Sequence, residues 1–157
     1  MKLIQDYIET LTDHVEGFTT AGPKSLAKIA SLERALAVTL PPSYRDFLQR
    51  YGAVSHFGSY ICGIWHADPL RATDGSVYNE TIQFRTEDDL PAYLIVVEAD
   101  PDAPCCIDTR KPSTNGECPV VCYDLHARQS EQIAASFEAF AQEWLELRAM
   151  DESEWMN

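Results

Sequence analysis

The chain has 157 residues, of which 45% are hydrophobic, 10% aromatic and 24% charged; this excludes a disordered chain and is long enough to bury a core without disulfide or metal support. Its formal charge of −13 disfavours nucleic acid and anionic membrane as partners, since both are polyanions. No apolar run approaches the roughly 18 residues of a membrane span, and Asp6 and Glu9 interrupt the N-terminus too early for a signal peptide, so the expected compartment is the cytoplasm.

In chain order, Ile4, Tyr7, Ile8, Leu11 and Val15 fall on one face of a helix, which Gly17 stops. Residues 17–23, with Gly17, Gly22 and Pro23, read as a loop. A second helix is predicted from Ser25 to Ala37, with Leu26, Ile29, Leu32 and Leu36 as its apolar stripe. Pro41 and Pro42 break the chain and pre-set the first turn of a third helix, Ser43 to Tyr51, where Tyr44, Phe47, Leu48 and Tyr51 share a side. Gly52 is placed to end it in a left-handed conformation.

The period then changes. Phe57 to Trp65 is aromatic and β-branched, which predicts a strand with a bulge at Gly63. Asp74 is the expected cap of a helix running to Asp88, with Val77, Thr81 and Phe84 inward. Strands are predicted at Ala92 to Glu98, at 104–109 and at 119–125, with turns at Asp100-Pro101-Asp102 and across Lys111 to Gly116, where Asn115-Gly116 is a strong turn pair. The last element reads as a long helix from Ser130 to about Met150, striped by Ile133, Phe137, Phe140, Trp144 and Leu147, and residues 151–157 as a frayed tail. This order predicts one α+β domain, an antiparallel or mixed β-sheet covered by the N-terminal helices and the long C-terminal helix.

No constellation of residues points to catalysis. The chain lacks GxSxG, GxxxxGK[ST], HExxH and GxGxxG motifs. Cys62 and His66 lie four apart, but Gly63 and the turn after Trp65 separate them, which leaves a small buried strand thiol beside a loop histidine. His14, His56 and His126 have no evident partner. Cys105, Cys106, Cys118 and Cys122 offer four thiols, yet adjacent strand residues point to opposite faces and Val120 and Val121 fill the second gap, so no metal or other cofactor is expected. Five cysteines, an odd number without an export signal, predict reduced thiols. The basic residues Lys24, Lys28, Arg34, Arg45 and Arg50 fall in a neutral half: residues 1–73 hold seven acids and seven Lys/Arg, and residues 74–157 hold eighteen acids and five. An acidic half is commonly a solvated surface, and it also suits a basic partner.

The segment Ile29 to Gly52, with Glu33, Leu40-Pro41-Pro42, Tyr44, Phe47, Leu48 and Gly52, resembles the SUKH superfamily, the domain of fungal cell-wall-synthesis regulators and of many bacterial toxin-immunity proteins. Further similarity lies in Gly58, Gly63 and Ile64, in Leu90-Pro91-Ala92-Tyr93, in Asp108-Thr109, Pro119-Val120 and Tyr123-Asp124, and in Ile133 to Phe140 with Phe137, so that it spans about residues 25–147. Ala53 to His56 and Cys105-Cys106 depart from the pattern. The matching residues read as core and turn positions and identify the fold, not a site.

The resemblance implies a non-catalytic protein-binding module. It implies foremost an immunity protein that blocks a secreted toxin domain, often a nuclease, and alternatively an intracellular scaffold or regulator. A basic toxin surface would be steered by the acidic half, which makes Glu87, Asp88, Asp89, Asp100 and Asp102 the candidate contact residues.

Overall fold

A computed structural model describes residues 3–110 and 112–155. Helix α1 (Ile4–His14) starts where the Leu3 N–H donates to the Asp6 carboxylate at 3.2 Å, and buries Ile8 and Leu11. Strand β1 (Phe18–Thr20) follows inside the segment predicted as a loop. Helix α2 (Leu26–Leu36) is capped by the Ser25 hydroxyl, which accepts from the Lys28 N–H at 3.3 Å. Helix α3 (Pro42–Arg50) buries Tyr44, Phe47 and Leu48, and Gly52 follows it at φ 76°.

Three of the motif residues fix this helical corner. The Glu33 carboxylate accepts from the Leu40 N–H at 2.8 Å, which ties the end of α2 to the break before α3. Leu40 itself is buried. The Tyr44 hydroxyl donates to the Cys62 carbonyl at 2.7 Å inside the core. Tyr44→Phe keeps the ring and strands that carbonyl; urea unfolding should show a loss of about 1–3 kcal/mol, and no measurable loss would mean that the bond contributes nothing.

The predicted strand 57–65 is instead the second half of a hairpin. Strand β2 (Val54–His56) pairs with β1 and with β3 (Ser59–Ile61), both antiparallel. Phe57 and Gly58 form the turn at φ 47° and 82°. Gly63 makes no bulge: it forms an isolated parallel bridge with Ser76. Helix α4 (Val77–Asp88) is capped by Ser76 rather than Asp74, for Ser76 accepts from the Asn79 N–H at 3.4 Å. Val77 and Thr81 face inward, whereas Phe84 is only half-buried.

Four antiparallel strands follow in the order β4 (Leu94–Glu98), β5 (Cys105–Asp108), β6 (Val120–Asp124) and β7 (Gln129–Ala134). Strand β7 corrects the predicted long helix. A turn through Arg128, at φ 58°, returns the chain alongside β6, and helix α5 (Phe137–Trp155) begins only after Ser136, whose hydroxyl accepts from the Ala139 N–H at 3.2 Å. Phe137, Phe140 and Trp144 are buried as expected, with Ala141 and Leu145 beside them, while Ile133 and Leu147 are exposed. The expected tail at 151–157 is helical through Trp155; Met156 and Asn157, and Lys111 of the predicted turn, lie outside the described residues.

The main core lies between one face of the four-stranded sheet (Ile95, Val97, Ile107, Val120) and α1, α2, α3 and α5. Side chains alternate along a strand, so Leu94, Val96, Cys106, Val121 and Tyr123 form a second, smaller cluster on the opposite face. A backbone bond ties the end of β3 to β4, from the Cys62 N–H to the Val97 carbonyl at 2.8 Å. No described helix is long and apolar enough to cross a membrane.

Candidate acidic groove

Helix α4 carries Glu80, Phe84, Glu87 and Asp88 at offsets of 0, 4, 7 and 8, which places them on one face. That face meets the turn after β4. The junction is a cavity of about 310 Å³ lined by Glu80, Glu87, Asp88, Ala99 and Asp100. A second cavity, of about 290 Å³, shares Glu80 and Ala99 with the first and is lined further by Asp74, Glu98, Cys62 and the start of β3. Together they form a groove edged by six carboxyl groups.

Three of these carboxylates are held, each differently. Glu80 is half-buried, accepts weakly from the Gly75 N–H at 3.4 Å, and has its pKa raised first by burial and then by the charge of Asp74. Glu98 accepts from the Trp144 indole N–H at 2.8 Å and from the Cys105 thiol at 3.6 Å, which fixes it against α5. Asp100 accepts from the N–H groups of Asp102 and Ala103, both at 2.9 Å, and thereby shapes its own turn. Among the described residues no Lys or Arg side chain forms an ion pair with Glu80, Glu87, Asp88, Glu98 or Asp100. The Arg128 guanidinium reaches the end of α4, but it donates to the carbonyls of Asp88 and Asp89, both at 2.7 Å.

Of the five predicted contact residues, Glu87, Asp88 and Asp100 line one cavity. Asp89 is instead the left-handed C-cap of α4, at φ 53°. Asp102 faces His126, with 3.2 Å between Oδ1 and Nε2. Glu80 and Glu98 add to the predicted contact residues, as does Asp74, which the sequence marks only as a helix cap. Glu80 was within reach, because it stands two helical turns before Glu87. Glu98 and Asp74 join only through tertiary packing.

The family-motif residues lie elsewhere. Leu40, Tyr44, Phe47, Leu48 and Phe137 are buried core residues; Gly52 and Gly63 are a backbone crossing; Pro41 precedes α3; and the Pro91 carbonyl accepts from the Leu94 N–H. The Tyr93 ring is covered by the Arg110 guanidinium at 3.9 Å, while Arg110 also donates to the buried Asp108 carboxylate at 2.8 Å. Another cavity, of about 410 Å³ between α1 and α3, is larger, but of its four charged groups Asp46, Arg50 and Glu117 are already engaged, which leaves the exposed Glu138. There Glu117 accepts from the Ser43 N–H and hydroxyl at 3.0 and 2.7 Å, and Arg50 pairs with Asp46 at 3.1 Å.

Burial closes Cys62 and Cys106 to nucleophilic work. Burial pushes Cys62 and Cys106 well up, and burial with nearby Glu98 pushes Cys105 up to about 12. A protein-family model described as SUKH_5: SMI1-KNR4 cell-wall matches residues 4–146, nearly the whole chain.

Proposed function

The chain belongs to the SUKH_5 (SMI1-KNR4 cell-wall) family, and from that premise we propose a non-catalytic, cytoplasmic module that binds a basic protein through the acidic groove. The observation that carries this reading is the line of carboxylates from Asp74 through Glu80 to Asp100, which have no Lys or Arg ion pair among the described residues and concentrate where α4 meets the end of β4. Preformed negative potential in a concave site steers a cationic partner and holds its Lys or Arg side chains. The partner of this chemistry is a secreted toxin domain whose own site is basic because it binds phosphates, which makes the module an immunity protein. The cell-wall description of the family favours a second reading, an intracellular scaffold for regulatory proteins.

Capture from host lysate at low and near-physiological salt, followed by titration of the purified partner, separates these readings. One basic, toxin-like polypeptide retained at both salts supports immunity. Several unrelated regulatory proteins support the scaffold. The combined substitution Glu80→Gln, Glu87→Gln, Asp88→Asn and Asp100→Asn should weaken binding about 10- to 100-fold and flatten its salt dependence. An unchanged affinity would overturn the groove. The sign with pH follows from Glu80. Its folded pKa is raised, so below that value it is protonated and offers no charge; affinity should therefore rise with pH as Glu80 loses its proton.

A further inference from the structure

Five thiols are free, and they are not equivalent. Cys62, Cys106 and Cys118 are buried, whereas Cys105 and Cys122 are partly exposed. Cys105 on β5 is the register partner of Cys122 on β6. The flanking ladder bonds run from the Tyr123 N–H to the Pro104 carbonyl and from the Asp108 N–H to the Pro119 carbonyl, both at 3.0 Å. Hydrogen-bonded pairs alternate with non-hydrogen-bonded pairs along such a ladder, so Cys105 and Cys122 form a non-hydrogen-bonded pair. The Cα atoms of such a pair sit about 4.5 Å apart with both side chains on one face, within the roughly 4.4–6.8 Å over which a disulfide closes without backbone movement. Cys106, one residue along, points through the sheet; its partner is Val121 and its thiol donates to the Pro104 carbonyl at 3.6 Å.

The surroundings select the oxidant. Glu98 accepts from the Cys105 thiol at 3.6 Å, and Glu131 is the register partner of Cys122 on β7. Asp100 and Asp124 add negative charge around Cys122. An anionic reagent is repelled from this face, and a cationic one is drawn to it.

We propose that Cys105 and Cys122 are a modification site, a cross-strand dithiol that small cationic disulfides oxidise to an intramolecular disulfide. Cys122, the less enclosed of the two, loses its proton and attacks one sulfur of the reagent; the reagent's S–S bond breaks, and its second half leaves as a thiol carrying that proton. The Cys105 thiol then loses its proton to the remaining half of the reagent as its sulfur displaces it. One S–S bond has formed and one has broken. Two protein thiols are oxidised by two electrons in all, and the reagent is reduced to two thiols. Burial and the neighbouring carboxylates raise both cysteine pKa values, so the first step quickens with pH.

The test treats the reduced full-length chain with cystamine and, separately, with oxidised glutathione, quenches with N-ethylmaleimide at timed points, and maps peptides without reduction. The expected product is a peptide linked through Cys105 and Cys122, two hydrogens lighter than the dithiol, formed about tenfold faster with cystamine. Closing the loop between β5 and β6 should raise Tm by about 5–10 °C. Cys122→Ser should give neither link nor shift. A mixed disulfide that persists without closing, a link through Cys106 or Cys118, equal rates with both reagents, or no linked peptide would each overturn the proposal.

Discussion

Gly63→Ala should abolish folding or cost about 4 kcal/mol or more in urea unfolding, the largest effect expected of any methyl-sized change in this chain. A Cβ at Gly63 would lie 1.9 Å from the Gly52 carbonyl oxygen and 3.0 Å from the Ala53 Cβ. Neither side can yield. Gly63 is pinned by its own N–H to the Gly75 carbonyl at 3.0 Å and by the Val77 N–H on its carbonyl at 2.9 Å. The Gly52 carbonyl accepts from the Ile64 N–H at 2.8 Å, and its N–H reaches the Leu48 carbonyl at 3.1 Å. Two backbone segments thus cross in contact, where a side chain has no room. Gly58→Ala is the matched control: it sits at φ 82° with nothing near its absent Cβ, so it should cost only about 1 kcal/mol. Gly63 itself is not in a left-handed conformation, so equal losses for the two variants would show that the crossing yields to a methyl group.

Phe137→Ala is expected to cost about 3–5 kcal/mol, measured by calorimetry or denaturant titration. The ring is fully buried at the first residue of α5. It meets Tyr44 edge-on at 4.7 Å and Phe47 at 5.1 Å, so it joins α5 to α3 as one aromatic cluster. Phe137→Leu keeps much of the volume and should cost about half as much. A loss below about 1 kcal/mol for Phe137→Ala would mean that the cluster collapses around the gap and is not the joint described here.

The helices were the legible part of the fold, because apolar residues at a period near 3.6 and strong breakers (Gly17, Pro41, Gly52) coincide there. Strand β7 was illegible for a physical reason. Gln129 to Gln132 are polar and exposed, so no alternation marks the strand; Glu, Gln and Ala favour helix locally, and pairing with β6 overrides them. The β2–β3 hairpin was hidden because Phe57, not a usual turn residue, takes the first left-handed turn position, and only Gly58 signals it. Strand β1 is three residues long and borrows its order from β2. The groove was half legible: Glu87, Asp88 and Asp100 were visible as acidic loops and helix ends, while Glu98 joins through tertiary packing, beside a register shift between Val96 and Glu98 that no local pattern signals.

Strand β4 stands at one end of the four-stranded sheet, yet its outer edge is occupied. The Val96 N–H donates to the Thr81 hydroxyl at 3.0 Å, and the Val97 carbonyl accepts from Cys62. Strand β7, at the other end, pairs among the described residues with β6 alone. A sheet with one sealed rim and one open rim can be extended once. Any strand-to-strand association of this sheet must then be a closed twofold pair through β7, and an indefinitely growing ribbon, which needs two open rims per subunit, is geometrically barred to it.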